Sequence, residues 1–406
     1  MKVMPRLASV VGVVAVSLAT LSSSAFPQGT GRSMDIDVSI RSAGMAGASN
    51  AVFWGDALDH WANPALLGYQ TGLRYEWGRT QLVPGLAENI YLTSRVLKAG
   101  GGGAGVVLSQ QPLTDGGVHL DYGATIGTDK DGNPTRTPSP YEQVDSWGFG
   151  VSLAQAFENF SRFIGREPRA LGRYLDVSLG MNFKKIDIAL APWTTYGRGG
   201  TRARDLGGLV RITPLDCLNR EVGIPARIDL AYGYSTLSYN DDAVVTFSGA
   251  DFASRVTRHR RHGAALRLAA NPPGTQTWLR DRAAMETLLG GLLPLITVGV
   301  AHDHAIVDAG SGTSAYSADG TGFEIDLAHV LTYRVGSYTD KTGEIDGSTS
   351  GWSVGLPVGP WAGVRFERAR FPQARDSGLR DLKRKAFSAW VDPAAIWRSF
   401  RRTRSR

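Results

Sequence analysis

The chain has 406 residues, of which 42% are hydrophobic, 9% aromatic and 50 are glycine, with a formal net charge of +7. A soluble protein of this length would be expected to fold as roughly two or three domains, yet no Pro/Ser-rich linker divides it, and the composition suits a wall between two environments better than one dense core. Cys217 is the only cysteine, which excludes an internal disulfide and any cysteine-based metal site.

The chain opens with Lys2 and Arg6, an apolar run from Leu7 to Leu21, and the small residues Ser23, Ser24 and Ala25. This pattern predicts a secretory signal peptide over residues 1–25. The apolar run is shorter than the roughly 20 residues that a spanning helix needs. The later run Leu288 to Ala301 is interrupted by Gly290, Gly291 and Pro294. Cys217 lies far from the signal region, which argues against a lipid-modified amino terminus. An exported chain with no spanning helix is either soluble or an outer-membrane β-barrel.

Residues 26–70 precede the first strand and are expected as an N-terminal plug or hatch segment. From residue 71 to 373 period-two alternation recurs, and Leu175 to Lys184 shows it without a break. Leu175, Val177, Leu179, Met181 and Phe183 share one face; Asp176, Ser178, Gly180, Asn182 and Lys184 share the other. At Lys184-Lys185 the phase flips and Ile186, Ile188 and Leu190 become the apolar set, which predicts a bulge or a turn into another strand. Counting that piece, with Gly103 to Ser109 and Val118 to Ile126 as two strands, Phe323 to Val335 as one and Gly363 to Phe371 as the last, gives about fourteen strands of an antiparallel transmembrane barrel, an all-β fold. Thr128 to Asp145, Asn240 to Arg261, Ala309 to Gly322 and Tyr338 to Gly351 are expected as outer loops. Gly100 to Gly103, Asp115 to Gly117, Asn271 to Gly274 and Gly355 to Pro360 are expected as short connections. Phe157 to Leu171 and Gln276 to Leu293 do not alternate and are expected as insertions.

A cation facing lipid at the midplane costs about 2–4 kcal/mol, so charged strand faces should point inward. Arg74, Glu76, Arg95, Asp176, Lys184, Arg211, Arg227, Asp229, Arg267, Glu324, Asp326, Arg334, Arg365 and Glu367 are therefore expected to line the lumen. With both signs present, paired charges and a selective pore are equally open. Trp77, Trp147, Tyr232, Tyr234, Tyr333, Trp352 and Trp361 fall on or near the other face, as girdle residues do.

An open barrel of this size would leak, and the small-residue segment Ser42 to Leu67 is placed to block it. It carries Gly44 and Gly47, then Asp56 and Asp59, then Asn63-Pro64-Ala65 just before the first strand. In this arrangement the chain resembles the FadL-like outer-membrane barrel superfamily, particularly its PorV/PorQ-type group. It departs from that pattern at Leu66, where a glycine is common, and in the acidic pair split by Ala57-Leu58. The resemblance implies a fourteen-stranded barrel with an N-terminal plug. It further implies either passage of hydrophobic compounds across the outer membrane or a structural role in protein secretion.

Other signals are weaker. Gly100 to Gly105 satisfies a dinucleotide-binding spacing but runs into a strand, which favours a hairpin. Asp129 to Asn133 and Asp340 to Gly347 favour surface turns over calcium loops. His302 and His304 share a strand face without an adjacent third ligand, so no metal site is expected. Arg258 to His262 could meet lipopolysaccharide phosphates or be a solvated loop base. No nucleophile elbow is present, and neither enzymatic activity nor a cofactor is expected.

Residues 374–406 hold ten basic and three acidic residues from Arg375 onward, enough to account for the whole net charge. Aromatic residues interleave with them and Pro393 divides the stretch, predicting a tail of two short amphipathic helices. The tail is expected to meet a membrane surface or a periplasmic or secretion partner. The remaining partners expected are outer-membrane lipid and a hydrophobic small molecule; no nucleic acid is expected. The leading function is passage of hydrophobic small molecules, with a secretion-associated barrel second and a soluble exported β-rich enzyme third.

Overall fold

The computed structural model describes residues 32–397, apart from 56, 111–116, 124–125, 129–133, 137–138, 166–170, 191, 193–196, 219–224, 250–252, 273–274, 276–291, 309–314, 342–344 and 375–376. The signal-peptide stretch, Asp56, the turn 129–133 and nearly all of the insertion expected at 276–293 lie outside the described residues.

Helical turns α1 (Arg32–Asp35) and α2 (Ile40–Gly44) and a 3-10 turn over Pro64–Tyr69 precede the strands. There follow β1 (Gly72–Val83), β2 (Ala87–Gly101), β3 (Ala104–Ser109), β4 (Val118–Asp121), β5 (Ile126–Thr128), β6 (Pro134–Arg136) and β7 (Tyr141–Ser152). Helices α3 (Leu153–Phe163) and α4 (Leu171–Tyr174) lead to β8 (Leu175–Ala189), β9 (Arg198–Asp216), β10 (Ala226–Leu237), β11 (Val244–Phe247), β12 (Ala253–Arg255) and β13 (Arg258–Ala270). The chain continues through β14 (Ile296–Asp308), β15 (Tyr316–Leu327), β16 (Leu331–Asp340), β17 (Ile345–Val358), β18 (Ala362–Phe371) and β19 (Leu382–Val391).

β3 and β4 are two halves of one stave, since both pair with β2 on one side and β7 on the other. β11 and β12 form a hairpin that extends β9, while β10 pairs directly with β13. β5 and β6 form a separate ribbon. The result is a closed antiparallel barrel of 14 staves in chain order. β1 bonds to β2 on one edge and to β19 on the other, so neither edge is left open.

Fourteen agrees with the expected number, but the staves are divided differently. β8 is one unbroken strand whose register against β7 and β9 continues past Lys184 without a shift. The flip there is a change of surroundings. Before it, the inward face is Asp176, Ser178, Asn182 and Lys184 and the outward face is apolar; after it, Ile186 and Ile188 point inward into an apolar cluster with Val144, Val245 and Phe247. Lys185 and Asp187 then face outward and form an exposed ion pair of 2.9 Å. Neighbouring strands change at the same level, where Trp147 and Phe183 stack at 4.3 Å and Asp145 pairs across from Lys185.

The tail expectation is corrected by β19. Leu382–Val391 is a strand that pairs along its length with β18 and β1 and closes the ring. Its inward face carries Arg384 and its outward face Lys383 and Lys385, so charge alone conceals the period of two. Among the described residues of the tail, a short α-helix is present at 393–397. The insertion expected near residue 157 is α3, capped by the Ser152 side chain, with Leu153, Phe157, Phe160 and Phe163 exposed.

Truncation after Gln373 removes the stave that bonds β1 to β18 and leaves two unpaired edges. The truncated protein should lose heat-modifiable migration on a gel. A truncated chain that still shows the folded, fast-migrating form would mean that the barrel closes without β19.

Candidate functional site: the barrel interior

Residues 33–70 run inside the barrel, with Met45, Ala46, Ala48, Ala51, Ala65 and Leu66 fully buried. The glycines of the wall admit this backbone. A Cβ on Gly180 would stand 2.3 Å from the Pro64 carbonyl oxygen, and one on Gly320 would stand 2.0 Å from that of Ala46. Gly233 meets the Asn50 carbonyl in the same way, and Gly207 makes room for the Asn63 side-chain oxygen.

The segment is tied to the wall by polar groups at several levels. The Asn63 side chain caps the 3-10 turn by accepting from the Ala65 N–H at 3.0 Å, and donates to the Asn50 carbonyl at 2.9 Å and the Gly208 carbonyl at 3.2 Å. Pro64 opens that turn. The Ala65 carbonyl accepts from the Ser178 hydroxyl at 2.6 Å. Asp303 accepts from the Ser49 and Asn50 N–H groups. Gly44 lies 3.3 Å, by an added Cβ, from Arg334 and Gly351, and its carbonyl accepts from Thr349. Gly47 takes φ +79° in the turn that follows α2.

Near the end of the barrel where β1 begins and β19 ends, Glu324 gathers three donors. Arg41 donates through Nε at 2.9 Å and Nη2 at 2.5 Å, Arg334 through Nε at 2.7 Å, and Trp54 through its indole N–H at 3.2 Å. Arg41 also donates to the Trp54 carbonyl, and Arg334 reaches Glu367 at 3.2 Å. Glu324 thus joins the segment to β15 and β16, and Arg334 carries the network on to β18.

Many of the other interior charges form ion pairs. Arg74 and Lys98 share Glu76 at 2.6 and 2.9 Å. Lys184 contacts Asp205 at 2.7 Å and lies 3.8 Å from the Trp61 ring. Asp229 meets Arg227 at 2.9 Å and Arg267 at 3.6 Å. Asp176 meets Arg211 at 4.0 Å, and Asp326 meets Arg365 at 3.9 Å. Of the two arrangements open from sequence, the interior takes the paired one. Small voids remain beside the segment: about 20 Å³ near Arg41, Arg267 and Glu324, and about 30 Å³ near Asp59, Glu76 and Lys98. Each is the size of one or two waters.

Every charge expected in the lumen faces inward except Arg95. The inward face of β2 is Leu92, Ser94, Val96 and Lys98, and Arg95 stands opposite Trp77 on the outer face. Lys98 is the interior cation of that strand. Arg41, Asn50, Asp205, Asp303 and Arg384 are further interior groups absent from the sequence reading. Arg41 was the most findable of them, as a cation beside a run of small residues. His302 and His304 face outward onto Thr321 at 2.9 Å and Asp319 at 2.7 Å. Among the described residues no cluster could hold a metal ion, and no helix is long and apolar enough to cross a membrane. His259 turns inward to Asp35, Arg258 pairs with the exposed Asp241, and Arg260 is the exposed member of that basic cluster.

No known protein family matches the chain, and no curated protein matches it. Solved structures with a similar outline include a FadL homologue from Pseudomonas aeruginosa, at 9% identity over 87% of this chain and 98% of that one, with a TM-score of 0.41. CymD, a monoaromatic hydrocarbon channel, is 11% identical over 87% and 96% of the two chains, with a TM-score of 0.38. The Pseudomonas putida toluene transporter TodX is 13% identical over 86% and 96%, with a TM-score of 0.36.

Asp59 accepts from Ser49 at 2.7 Å and from the Ala62 N–H at 3.2 Å. Burial, and then the Asp37 carboxylate, push its pKa up from 3.8 to about 8. The folded state therefore holds a proton that the unfolded chain releases, and this contribution to stability declines as pH rises from 3.8 and is gone above about 8. Asp59→Asn should flatten that decline. Protease sensitivity of the segment, followed from pH 6 to 9 (about neutral to mildly basic), should rise in the parent and stay level in the variant; parallel profiles would refute the assignment.

Proposed function

We propose that the chain is an outer-membrane barrel that passes small hydrophobic compounds, with the segment before β1 serving as the plug of its lumen. The membrane reading rests on the outward faces: Leu179, Val210, Leu230, Leu266, Val300, Phe323, Val354 and Phe366 are exposed around the ring. Trp147, Tyr232, Tyr333 and Trp352 stand among them as girdle residues. The start of β1 at Gly72 and the end of β19 at Val391 lie on one side, taken as periplasmic; Asp121, Tyr141, Leu237 and Arg258, where the longer connections leave the strands, lie on the other, and Ser33 and Asp35 stand at that outer end.

The observation that carries transport is the inner lining of the outer end. There Leu120, Val144, Ile186, Ile188, Val245 and Phe247 form an apolar cluster that Met34 and Trp61 complete. A water-filled pore presents polar groups at its mouth; this lining suits an apolar solute. A secretion-associated barrel that moves no small molecule is the second reading, favoured by the small voids and by the number of bonds holding the segment.

In a Cys217→Ser background, Leu179→Cys should react with lipid-soluble reagents and Ser178→Cys should be shielded from them, because Ser178 points inward against Ala65. Equal labelling would refute a membrane wall. In vesicles with a lipopolysaccharide outer leaflet, the full protein should speed uptake of a radiolabelled monoaromatic hydrocarbon over that of empty vesicles. Deleting Ser42 to Ala62 should raise ion conductance while heat-modifiability persists. Uptake no faster than in empty vesicles, with the barrel folded, would overturn transport in favour of the second reading.

A further inference from the structure

On the outer wall, β18, β19 and β1 lie side by side and bring five cations together. Arg368, Lys385 and Arg79 occupy one cross-strand row, and Arg370 and Lys383 occupy the next, beside Gln81. Adjacent strands are about 4.8 Å apart and successive residues on one face about 6.6 Å, so the five charges fall within a patch about 10 Å by 7 Å. Arg368, Arg370, Lys383 and Lys385 are exposed, and the Arg79 guanidinium lies 4.0 Å from the Tyr91 ring centre.

Like charges placed directly opposite one another in a sheet are destabilising. Three such pairs stand in register here: Arg79 with Lys385, Arg368 with Lys385, and Arg370 with Lys383. The outward faces of these three strands carry no carboxylate, because Glu76 and Glu367 both point inward. Elsewhere on the exterior several cations have anionic partners: Lys185 pairs with Asp187 at 2.9 Å, and Arg255 and Arg258 share Asp241 at 3.1 and 2.7 Å. Immediately below the cations stands an aromatic row, with Phe366, Phe387 and Trp77 in register across the same strands. Cations above an apolar aromatic step match an amphiphile with an anionic head and hydrocarbon chains.

We infer that the outward face of β18, β19 and β1 binds the phosphate-bearing headgroup of an outer-leaflet glycolipid, whose acyl chains lie against Phe366, Phe387 and Trp77. Arginine forks suit phosphate oxygens, and the compact charges of Lys383 and Lys385 complete a site wide enough for two phosphates. Bound phosphate would cancel the repulsion within the patch. This inference rests on the outer-membrane reading, and the cysteine labelling at 178 and 179 tests that reading separately.

The test uses full-length protein in detergent, with fluorescent bisphosphorylated lipid A as the probe. Arg368→Gln with Lys385→Gln should weaken binding about tenfold or more. Removing both phosphates from the lipid should weaken binding to the parent by a similar factor. Lys185→Gln with Arg202→Gln, on another part of the wall, should leave affinity unchanged. Heat-modifiable migration reports whether each variant is folded, and Arg368→Lys with Arg370→Lys supplies a charge-preserving variant that should retain most of the binding should the glutamine variant not fold. Parent-like affinity in the glutamine variant, loss of binding in the lysine variant while it is folded, or equal binding of the dephosphorylated lipid would overturn the inference. So would displacement of the probe by pyrophosphate at concentrations similar to those of the lipid.

Discussion

A ring of fourteen strands encloses more space than its own inward side chains can fill, and the interior of this barrel is organised around that constraint. Charged residues point inward because lipid would penalise them on the other face, yet inside they lose most of their water and must find partners. Strand-to-strand pairs such as Lys184 with Asp205 meet part of that need. The rest is met by the segment before β1, which supplies Arg41 to Glu324 and the Leu58 carbonyl to Lys98. Removing one partner from a buried pair costs about 3–5 kcal/mol, so the segment and the wall stabilise each other.

The same constraint explains the glycines. A strand wall whose inward side chains were all large would hold a second backbone at a distance and leave its polar groups without partners. Where glycine stands, as at Gly180 and Gly207, the segment comes close enough for Ser178 to reach the Ala65 carbonyl and for Asn63 to reach that of Gly208. Gly150, Gly233, Gly320 and Gly322 likewise stand against the main chain of residues 45–65.

Much of the barrel was legible in the sequence because period-two alternation is strong wherever one face is apolar and the other polar. It failed where that contrast reversed or vanished. At Lys184-Lys185 the strand leaves the apolar belt, so the polar residues change sides while the backbone runs straight on. β19 carries cations on both faces and resembles an amphipathic helix by composition. The turn from β15 to β16 was hidden for another reason: Ala328 and His329 take φ +56° and +57° with no glycine or asparagine to announce it. Asp326 holds that turn by accepting from the His329 N–H at 3.0 Å. Splitting β3 from β4 and dividing β8 added two strands to the expected count, while joining β15 to β16 and missing β19 removed two. For the interior, strand polarity located the charges, but which pairs form depends on cross-strand register, and period alone does not fix that. Arg95 and Lys98 show how one odd-numbered step reverses an assignment.

The anchoring of the N-terminal segment is graded along the barrel axis, which bears on how an apolar solute would pass on the transport reading. Toward the end where β1 begins and β19 ends, Arg41 and Trp54 are fixed to Glu324 within a network of buried arginines and carboxylates. In the middle, backbone groups bond to the strands through Asn50, Asn63 and Ser178. Toward the outer end, Met34 lies in the apolar cluster, and Asp35 accepts from Thr257 and His259 at 3.3 and 3.2 Å, the latter a bond whose strength depends on imidazole protonation. Dispersion contacts can be exchanged for contacts with an apolar solute at little net cost, whereas a buried ion pair separated by such a solute leaves two uncompensated charges. Displacement should therefore begin among Met34, Trp61 and the wall residues Ile186 and Phe247, with the Glu324 network holding the segment in the barrel while its outer part yields.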